Sequence, residues 1–135
     1  MDATYTKPLP EPSPDTEPYW AALRRGKLEL QCCADCGKVR HYPRAVCPYC
    51  YSMNAKWVEA SGRGTVHSWT IAHHPFHPGF KGELPYTLLT VDLAEGVRMQ
   101  AQYRGPADAV RIGMPVKVVF EIATAELTLP VFVPA

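Results

Sequence analysis

Hydrophobic and polar positions take on a two-residue period after Gly64. Apolar side chains then alternate with polar ones, as in strands that bury one face. In the third of these segments, for example, Val97 and Met99 face one way while Arg98 and Gln100 face the other. Five short strands over about 70 residues are typical of a small closed or partly open barrel such as the OB fold. The predicted strands are residues 65–71, 84–93, 97–103, 116–122 and 127–133.

Before the barrel, the pattern predicts one short helix over residues 15–25. Pro18 suits its first turn and Gly26 can end it. A helix of this length is marginal in water, so its apolar face must dock on another surface. That face consists of Tyr19, Trp20 and Leu23. Residues 1–14, where prolines alternate with other residues, are predicted to form an extended arm without a fold of its own.

Four cysteines between the helix and the barrel form two C-x2-C pairs, which ten residues separate. Two residues between thiols let one tight turn direct both sulfurs at the same ion. Four thiolates complete a tetrahedral shell with no open position, which is typical of structural zinc. Iron in a rubredoxin-like site uses the same ligands and stays an alternative. The predicted metal ligands are Cys33, Cys36, Cys47 and Cys50.

Disulfides are the other common use of paired cysteines. The chain has five cysteines, an odd number, and its first residues are polar and proline-rich instead of resembling a secretory signal. We therefore expect a reducing, cytoplasmic compartment, where such pairs usually bind metal. Cys32, the fifth cysteine, is expected to point away from the ion and to have no redox role.

Strands at 27–31, 38–42 and 56–59 are predicted to frame the cysteine pairs as a ribbon, too small to fold without a metal. The fold class is therefore mainly β, with three parts. An N-terminal arm and short helix occupy residues 1–26, a metal-binding ribbon residues 27–60, and an OB-fold domain residues 61–135.

Charge and hydropathy restrict the partners. The formal net charge is +1, whereas nucleic-acid-binding domains usually carry a strongly basic face. No apolar run approaches the ~20 residues of a membrane span. Six basic residues nevertheless gather near the cysteines, either as a solvated face or as a landing site for the phosphates of a nucleotide-bearing cofactor. Arg40 and Arg44 are the candidates for that contact.

The connection between the first two barrel strands is long and holds three of the five histidines with two phenylalanines. Long loops in compact domains are usually functional or disordered. Their spacing does not suggest a second metal, and no nucleophile is recognisable beside them, so we predict no catalytic residue in this chain. Contact with a ligand or a protein partner is the favoured interpretation. The candidate contact residues are His73, His74, Phe76, His77 and Phe80.

Together these motifs resemble a known family, over about 90% of the chain from Asp15 onward. It is the acyl-CoA-associated family with a rubredoxin-like zinc ribbon and an OB fold, long labelled a domain of unknown function. Two features depart from it: Cys32, where the family more often has a basic residue, and the His-rich loop. The matching segments are residues 18–20 (PYW), 26–28 (GKL), 30–37 (LQCCADCG), 43–44 (PR), 47–50 (CPYC), 61–66 (SGRGTV), 85–86 (PY), 95–96 (EG) and 112–116 (IGMPV).

The resemblance implies an accessory, non-catalytic subunit of a thiolase-fold enzyme, such as a thiolase, aldolase or acyltransferase acting on acyl-CoA. The nucleophile and the acid/base residues are then expected on the partner of a hetero-oligomer, with CoA bound at or near the interface. Two other functions use the same architecture. One is a single-stranded nucleic-acid-binding module, because zinc ribbons and OB folds both serve that role. The other is an iron electron carrier.

Overall fold

The computed structural model describes residues 5–135, so the first four residues of the predicted arm lie outside it. The described residues form one α-helix, eight β-strands and two short 3-10 segments, Pro78–Glu83 and Ala107–Ala109. In chain order the main elements are α1 (Glu17–Arg24), β1 (Glu29–Cys33), β2 (Val39–Arg40), β3 (Ala55–Glu59), β4 (Arg63–Ala72), β5 (Tyr86–Leu93), β6 (Arg98–Gln102), β7 (Pro115–Ile122) and β8 (Thr128–Pro134).

The first sheet is the ribbon, with antiparallel strands in the order β2-β1-β3. β1 is the central strand and is buried on both faces from Leu30 to Cys33. The ribbon therefore lies against the rest of the molecule instead of standing free, and α1 packs on its central strand.

The second sheet has the order β6-β5-β4-β7-β8, and all its neighbouring strands are antiparallel. Its two edges approach each other where Tyr103 and Phe132 form a parallel bridge. The Arg104 N–H continues this contact by donating to the Phe132 carbonyl at 2.8 Å. The result is a nearly closed five-stranded barrel, which confirms the predicted OB fold and the mainly β class.

β4 is the longest strand and changes its partner along its length. It pairs with β5 from Gly64 to Ala72, but with β7 through Arg63–Thr65 alone. A register irregularity between Val66 and Ser68 marks the change, as bulges commonly do where a strand bends. The bend lets one strand serve both halves of the barrel.

One hydrophobic core joins the helix, the ribbon and the barrel. Tyr19 and Leu23 of α1 are buried there, so the helix docks as its short length requires. Trp20, predicted on the same face, is half-buried at the edge of this core. The other core members include Leu28, Leu30, Val66, Leu89, Val91, Met99, Val116 and Phe132. Within residues 5–135, no helix is long and apolar enough to cross a membrane.

Candidate metal centre

The four paired cysteines lie on two knuckles with the same backbone hydrogen bonds. In the first, the Cys33 N–H donates to the Lys38 carbonyl at 2.9 Å, and the Gly37 N–H donates to the Cys33 carbonyl at 3.0 Å. In the second, the corresponding bonds run from the Cys47 N–H to the Ser52 carbonyl and from the Tyr51 N–H to the Cys47 carbonyl, both at 2.9 Å.

The residue after each pair has left-handed backbone, with φ of 79° at Gly37 and 63° at Tyr51. Glycine adopts this conformation freely, whereas tyrosine does so rarely. Tyr51 therefore takes the conformation that the second knuckle requires, and the sequence gives no sign of it.

The four sulfurs converge on one point. Their Sγ atoms all lie within 4.8 Å of one another, with Cys33 and Cys50 at 3.5 Å and Cys36 and Cys47 at 3.7 Å. A tetrahedron with metal–sulfur bonds of about 2.3 Å has edges of about 3.8 Å. The sulfurs are thus positioned for a tetrahedral metal ion, which would occupy every thiolate and leave no site for a substrate.

Backbone amides favour the thiolate form that a metal requires. The Cys36 N–H points to the Cys33 sulfur at 3.4 Å. This donor, with the Asp35 amide, lowers the pKa of the Cys33 thiol to about 6. The neighbouring Cys33 sulfur raises the pKa of the Cys50 thiol to about 12, so a cation that binds the four sulfurs displaces protons from the cluster.

A carboxylate holds the two knuckles together. Asp35, in the first knuckle, accepts hydrogen bonds from the Ser52 hydroxyl and from the Asn54 side-chain amide, which follow the second. These bonds lower the pKa of the Asp35 carboxyl, the Ser52 hydroxyl most of all. Cys32 lies outside the cluster, and its buried thiol donates to the Gly37 carbonyl at 3.4 Å.

The two predicted arginines occupy the ribbon face that looks toward the barrel. Arg40 is 4% exposed, and its Nη2 donates to the Arg44 carbonyl at 3.1 Å. The Arg44 N–H donates to Gln31 Oε1 at 2.8 Å, which fixes this turn on β1. Both arginines line a cleft of about 380 Å³ between ribbon and barrel.

Sequence reasoning missed the barrel side of this cleft, which includes Val97 and the first residue of β6, Arg98. These residues are about 50 positions from the ribbon arginines, so no local pattern connects them. Sequence reasoning also missed a second groove, of about 410 Å³, whose wall includes Tyr19, Trp20, His41, Tyr42, Phe80 and Tyr86.

The His-rich loop divides into two kinds of side chain. Phe80 stacks on Tyr86 with ring centroids 5.0 Å apart, and His77 Nδ1 accepts from the Gly79 N–H at 3.0 Å. These two residues hold the 3-10 segment of the loop in place. Phe76 is 79% exposed and meets His74 edge-on at 4.8 Å. His73 and His74 are exposed, and among the described residues the four cysteines are the one group of metal-type ligands that converges.

Comparison with known proteins accounts for both parts of the chain. Residues 20–53 match the family profile of the ChsH2 rubredoxin-like zinc ribbon domain, and residues 57–121 match that of the ChsH2 C-terminal OB-fold domain. A chain in the solved Ltp2-ChsH2(DUF35) aldolase is 41% identical, with a TM-score of 0.85 over 93% of this chain and 98% of that one. The chain belongs to the ChsH2 (DUF35) family.

Other ChsH2 relatives differ in length. A probable enoyl-CoA hydratase alpha subunit of Thermomonospora curvata is 43% identical over 96% of this chain. The 3-oxo-4,17-pregnadiene-20-carboxyl-CoA hydratase alpha subunit of Mycobacterium tuberculosis is 38% identical over 82% of it. The chain spans 40% and 35% of these two proteins, respectively. A DUF35 domain-containing scaffold protein of Pyrococcus furiosus is 32% identical, and the match covers 75% of this chain and 74% of that protein.

Proposed function

We propose that the chain is an accessory, non-catalytic subunit of a thiolase-fold enzyme that acts on acyl-CoA. Its part is to stabilise the complex and to assist binding of the CoA substrate. The observation that carries this proposal is the likeness to a chain of the Ltp2-ChsH2(DUF35) aldolase over almost its full length. The two relatives named as CoA hydratase alpha subunits also support a role in acyl-CoA processing.

The proposal assigns the nucleophile and the acid/base groups to the partner. Within residues 5–135, one histidine lies near a carboxylate: His67 Nδ1 is 3.4 Å from Asp92 Oδ2. Both side chains are partly exposed, and none of the described hydroxyls or thiols is hydrogen bonded to His67. A histidine activates a nucleophile when the two are within hydrogen-bond reach, so this pair lacks the group that it would activate.

Zinc is the ion that we assign to Cys33, Cys36, Cys47 and Cys50. Four thiolates at tetrahedral spacing fill every coordination position, so the role of the ion is structural. The match to a zinc-ribbon profile supports zinc over iron. The free thiols that this site needs persist in a reducing compartment, so we place the complex in the cytoplasm.

The exposed half of the His-rich loop is the surface that we assign to the partner. Phe76 is among the most exposed large apolar residues of the described chain, and His73 and His74 lie beside it. An exposed aromatic ring flanked by hydrogen-bonding groups is typical of an interface anchor. Phe80 and His77 hold the loop in place, and Phe80 also lines the groove beside Tyr86.

Co-purification from the native host tests the function. We expect the tagged chain to retain a thiolase-like protein, and acyl-CoA turnover to require that partner. The isolated chain should show no thiolysis, aldol cleavage or hydrolysis of acyl-CoA. Turnover by the pure chain, abolished by a point change within it, would show that it carries an active site of its own.

A further inference from the structure

Arg40 is a buried cation without a counter-ion among the described residues. Its Nε and Nη1 atoms are inaccessible to solvent and have no hydrogen-bond partner within residues 5–135. The single bond of its guanidinium goes to a neutral carbonyl, that of Arg44. Guanidinium stays protonated in proteins, and a buried charge is costly unless it is paired.

The cleft that Arg40 lines is positively charged. Its wall carries the side chains of Arg40, Arg44 and Arg98 and one carboxylate, that of Asp92. Asp92 is already engaged, because Arg98 Nε donates to Asp92 Oδ1 at 2.8 Å and His67 approaches the other oxygen. Arg40 and Arg44 are therefore left without an acidic partner among the described residues.

The dimensions of the cleft suit a small anionic ligand. About 380 Å³ lies between the ribbon and the barrel, within the roughly 300–1,000 Å³ of small-molecule pockets. Tyr49, from the second knuckle, forms part of the wall and is 61% exposed. Lys38 Nζ lies over one face of this ring, 4.5 Å from its centre, so the opposite face is the one that offers a base a stacking surface.

We infer that this cleft is a binding site for the phosphate end of a nucleotide, with Arg44 as its phosphate ligand, the charge of the buried Arg40 beside it and Tyr49 next to the base. Arginine presents parallel N–H groups that match two phosphate oxygens. A phosphate in the cleft would supply a counter-charge to the buried Arg40 guanidinium without contacting its Nε and Nη1 atoms, which are inaccessible. The inference rests on the proposed function in one respect: acyl-CoA has such a nucleotide end.

Calorimetry on the zinc-loaded full chain tests the site with adenosine 3′,5′-bisphosphate, which has the base, the 3′-phosphate and the inner 5′-phosphate of CoA without its outer 5′-phosphate and acyl arm. Inorganic phosphate and adenosine, titrated separately, distinguish a nucleotide site from a general phosphate site. We expect the bisphosphate to bind more tightly than either. The variants are Arg40→Gln and Arg44→Gln, with Arg111→Gln as control, because Arg111 is exposed and lies in the turn before β7, outside the cleft wall.

The expected result is that Arg44→Gln and Arg40→Gln each weaken bisphosphate binding at least tenfold, while Arg111→Gln binds as the wild type does. Zinc content and thermal unfolding check that each variant is folded. If Arg40→Gln fails to fold, Arg44→Gln decides, since its side chain is exposed. Absence of bisphosphate binding by the wild type, tighter binding of free phosphate, or unchanged binding by Arg44→Gln would each overturn the site.

Co-purification separates this inference from the proposed function. A chain that retains its thiolase-like partner but does not bind the bisphosphate disproves the cleft alone. A chain that binds the bisphosphate but retains no such partner disproves the accessory-subunit role alone.

Discussion

At the scale of single residues, exposure does not distinguish the four predicted metal ligands from their neighbour Cys32. Cys36 and Cys50 are exposed, whereas Cys32, which lies outside the cluster, is 4% exposed. The ligands share convergence of their sulfurs instead, which the two knuckles impose through matched hydrogen bonds. Convergence, not burial, therefore predicts the effect of replacing each cysteine.

Cys36→Ser should lose the metal and disorder the ribbon. Structural zinc contributes on the order of 10 kcal/mol in small zinc peptides, and three thiolates retain it poorly. Cys32→Ser, the matched control, should keep its metal because its thiol meets a carbonyl and no ion. Elemental analysis of the purified variants measures the outcome, and full zinc in Cys36→Ser would disprove the ligand assignment.

Phe76→Ala should weaken partner binding at least tenfold. Covering an exposed phenyl ring contributes about 1.5–3 kcal/mol, and a factor of ten is about 1.4 kcal/mol. We choose the single variant because Phe80 stacks on Tyr86, so its removal would disturb the loop itself. Titration of the partner gives the affinity. Ile112→Ala, equally exposed in the turn before β7, is the control and should bind normally.

At the scale of elements, the pairing of β4 with β5 depends on a close approach of the two strands. Gly64 on β4 faces β5 so tightly that an added Cβ would lie 2.6 Å from Val91 Cγ1 and would also contact the Asp92 carbonyl oxygen. No side chain fits between these strands. The glycine is thus required by the pairing of β4 with β5, at the place where β4 also pairs with β7.

Gly64→Ala should lower the free energy of unfolding by about 1–3 kcal/mol, as overpacking of a tight contact does. Gly82→Ala is the control, because nothing lies within 4 Å of its added Cβ and its change should stay within about 0.5 kcal/mol. Urea denaturation gives both values. If the two variants were equally stable, β4 and β5 would accommodate the added methyl group without loss of folding stability.

An ion pair ties two strands that do not pair directly. Arg104, just beyond β6, donates from Nε and Nη2 to the two Glu121 oxygens of β7, both at 2.8 Å. Hydrogen bonding to Arg104 lowers the pKa of the Glu121 carboxyl. A lowered pKa in the folded state stabilises the fold above the unfolded value of about 4.3, and that stability is lost as pH falls through the folded value.

Glu121→Gln should therefore be less stable than the wild type at pH 7, and the difference should shrink as pH falls below about 4.3 and vanish below the lowered pKa of the folded state. Thermal unfolding of both chains from pH 7 to pH 3 measures the difference, and acid loss of the metal affects both equally. Glu126→Gln should show no such trend, since its carboxylate forms no ion pair among the described residues. A difference independent of pH would exclude the ion pair as its cause.

At the scale of the whole molecule, the ribbon and the barrel share one hydrophobic core. Leu28 and Leu30, at the start of the ribbon, are buried in the same cluster as Leu89 and Phe132 of the barrel. Tyr19 and Leu23 of the helix close that cluster. The boundary between sequence segments is therefore not a boundary between independently packed bodies.

We accordingly expect the metal-loaded chain to unfold in one transition. Loss of the metal and loss of barrel structure should occur at the same temperature, because a common core links them. Metal release, followed with a colorimetric chelator, and circular dichroism of the same sample measure the two events. Metal release well below the temperature of barrel unfolding would show that the ribbon opens independently.

Local chemistry allowed the sequence alone to predict the architecture. The spacing of Cys33, Cys36, Cys47 and Cys50 confines four sulfurs to two short turns, so their convergence needs little information from distant residues. Alternation likewise marks strands within a few residues, and the barrel appears with the predicted strand number. The strand ends differ from the predicted ones by at most two residues, because pairing partners decide where a strand stops.

Tertiary structure alone decided how the candidate contacts are divided. Phe76 and Phe80 are four residues apart in one loop, yet Phe80 stacks on Tyr86 and is half-buried, whereas Phe76 is exposed. In the sequence, Arg40 is one of several basic residues near the cysteines. In the structure, it is buried and lines the same cleft as Arg98. Arg40 and Arg98 are 58 positions apart along the chain, and the fold alone brings them to the same cleft.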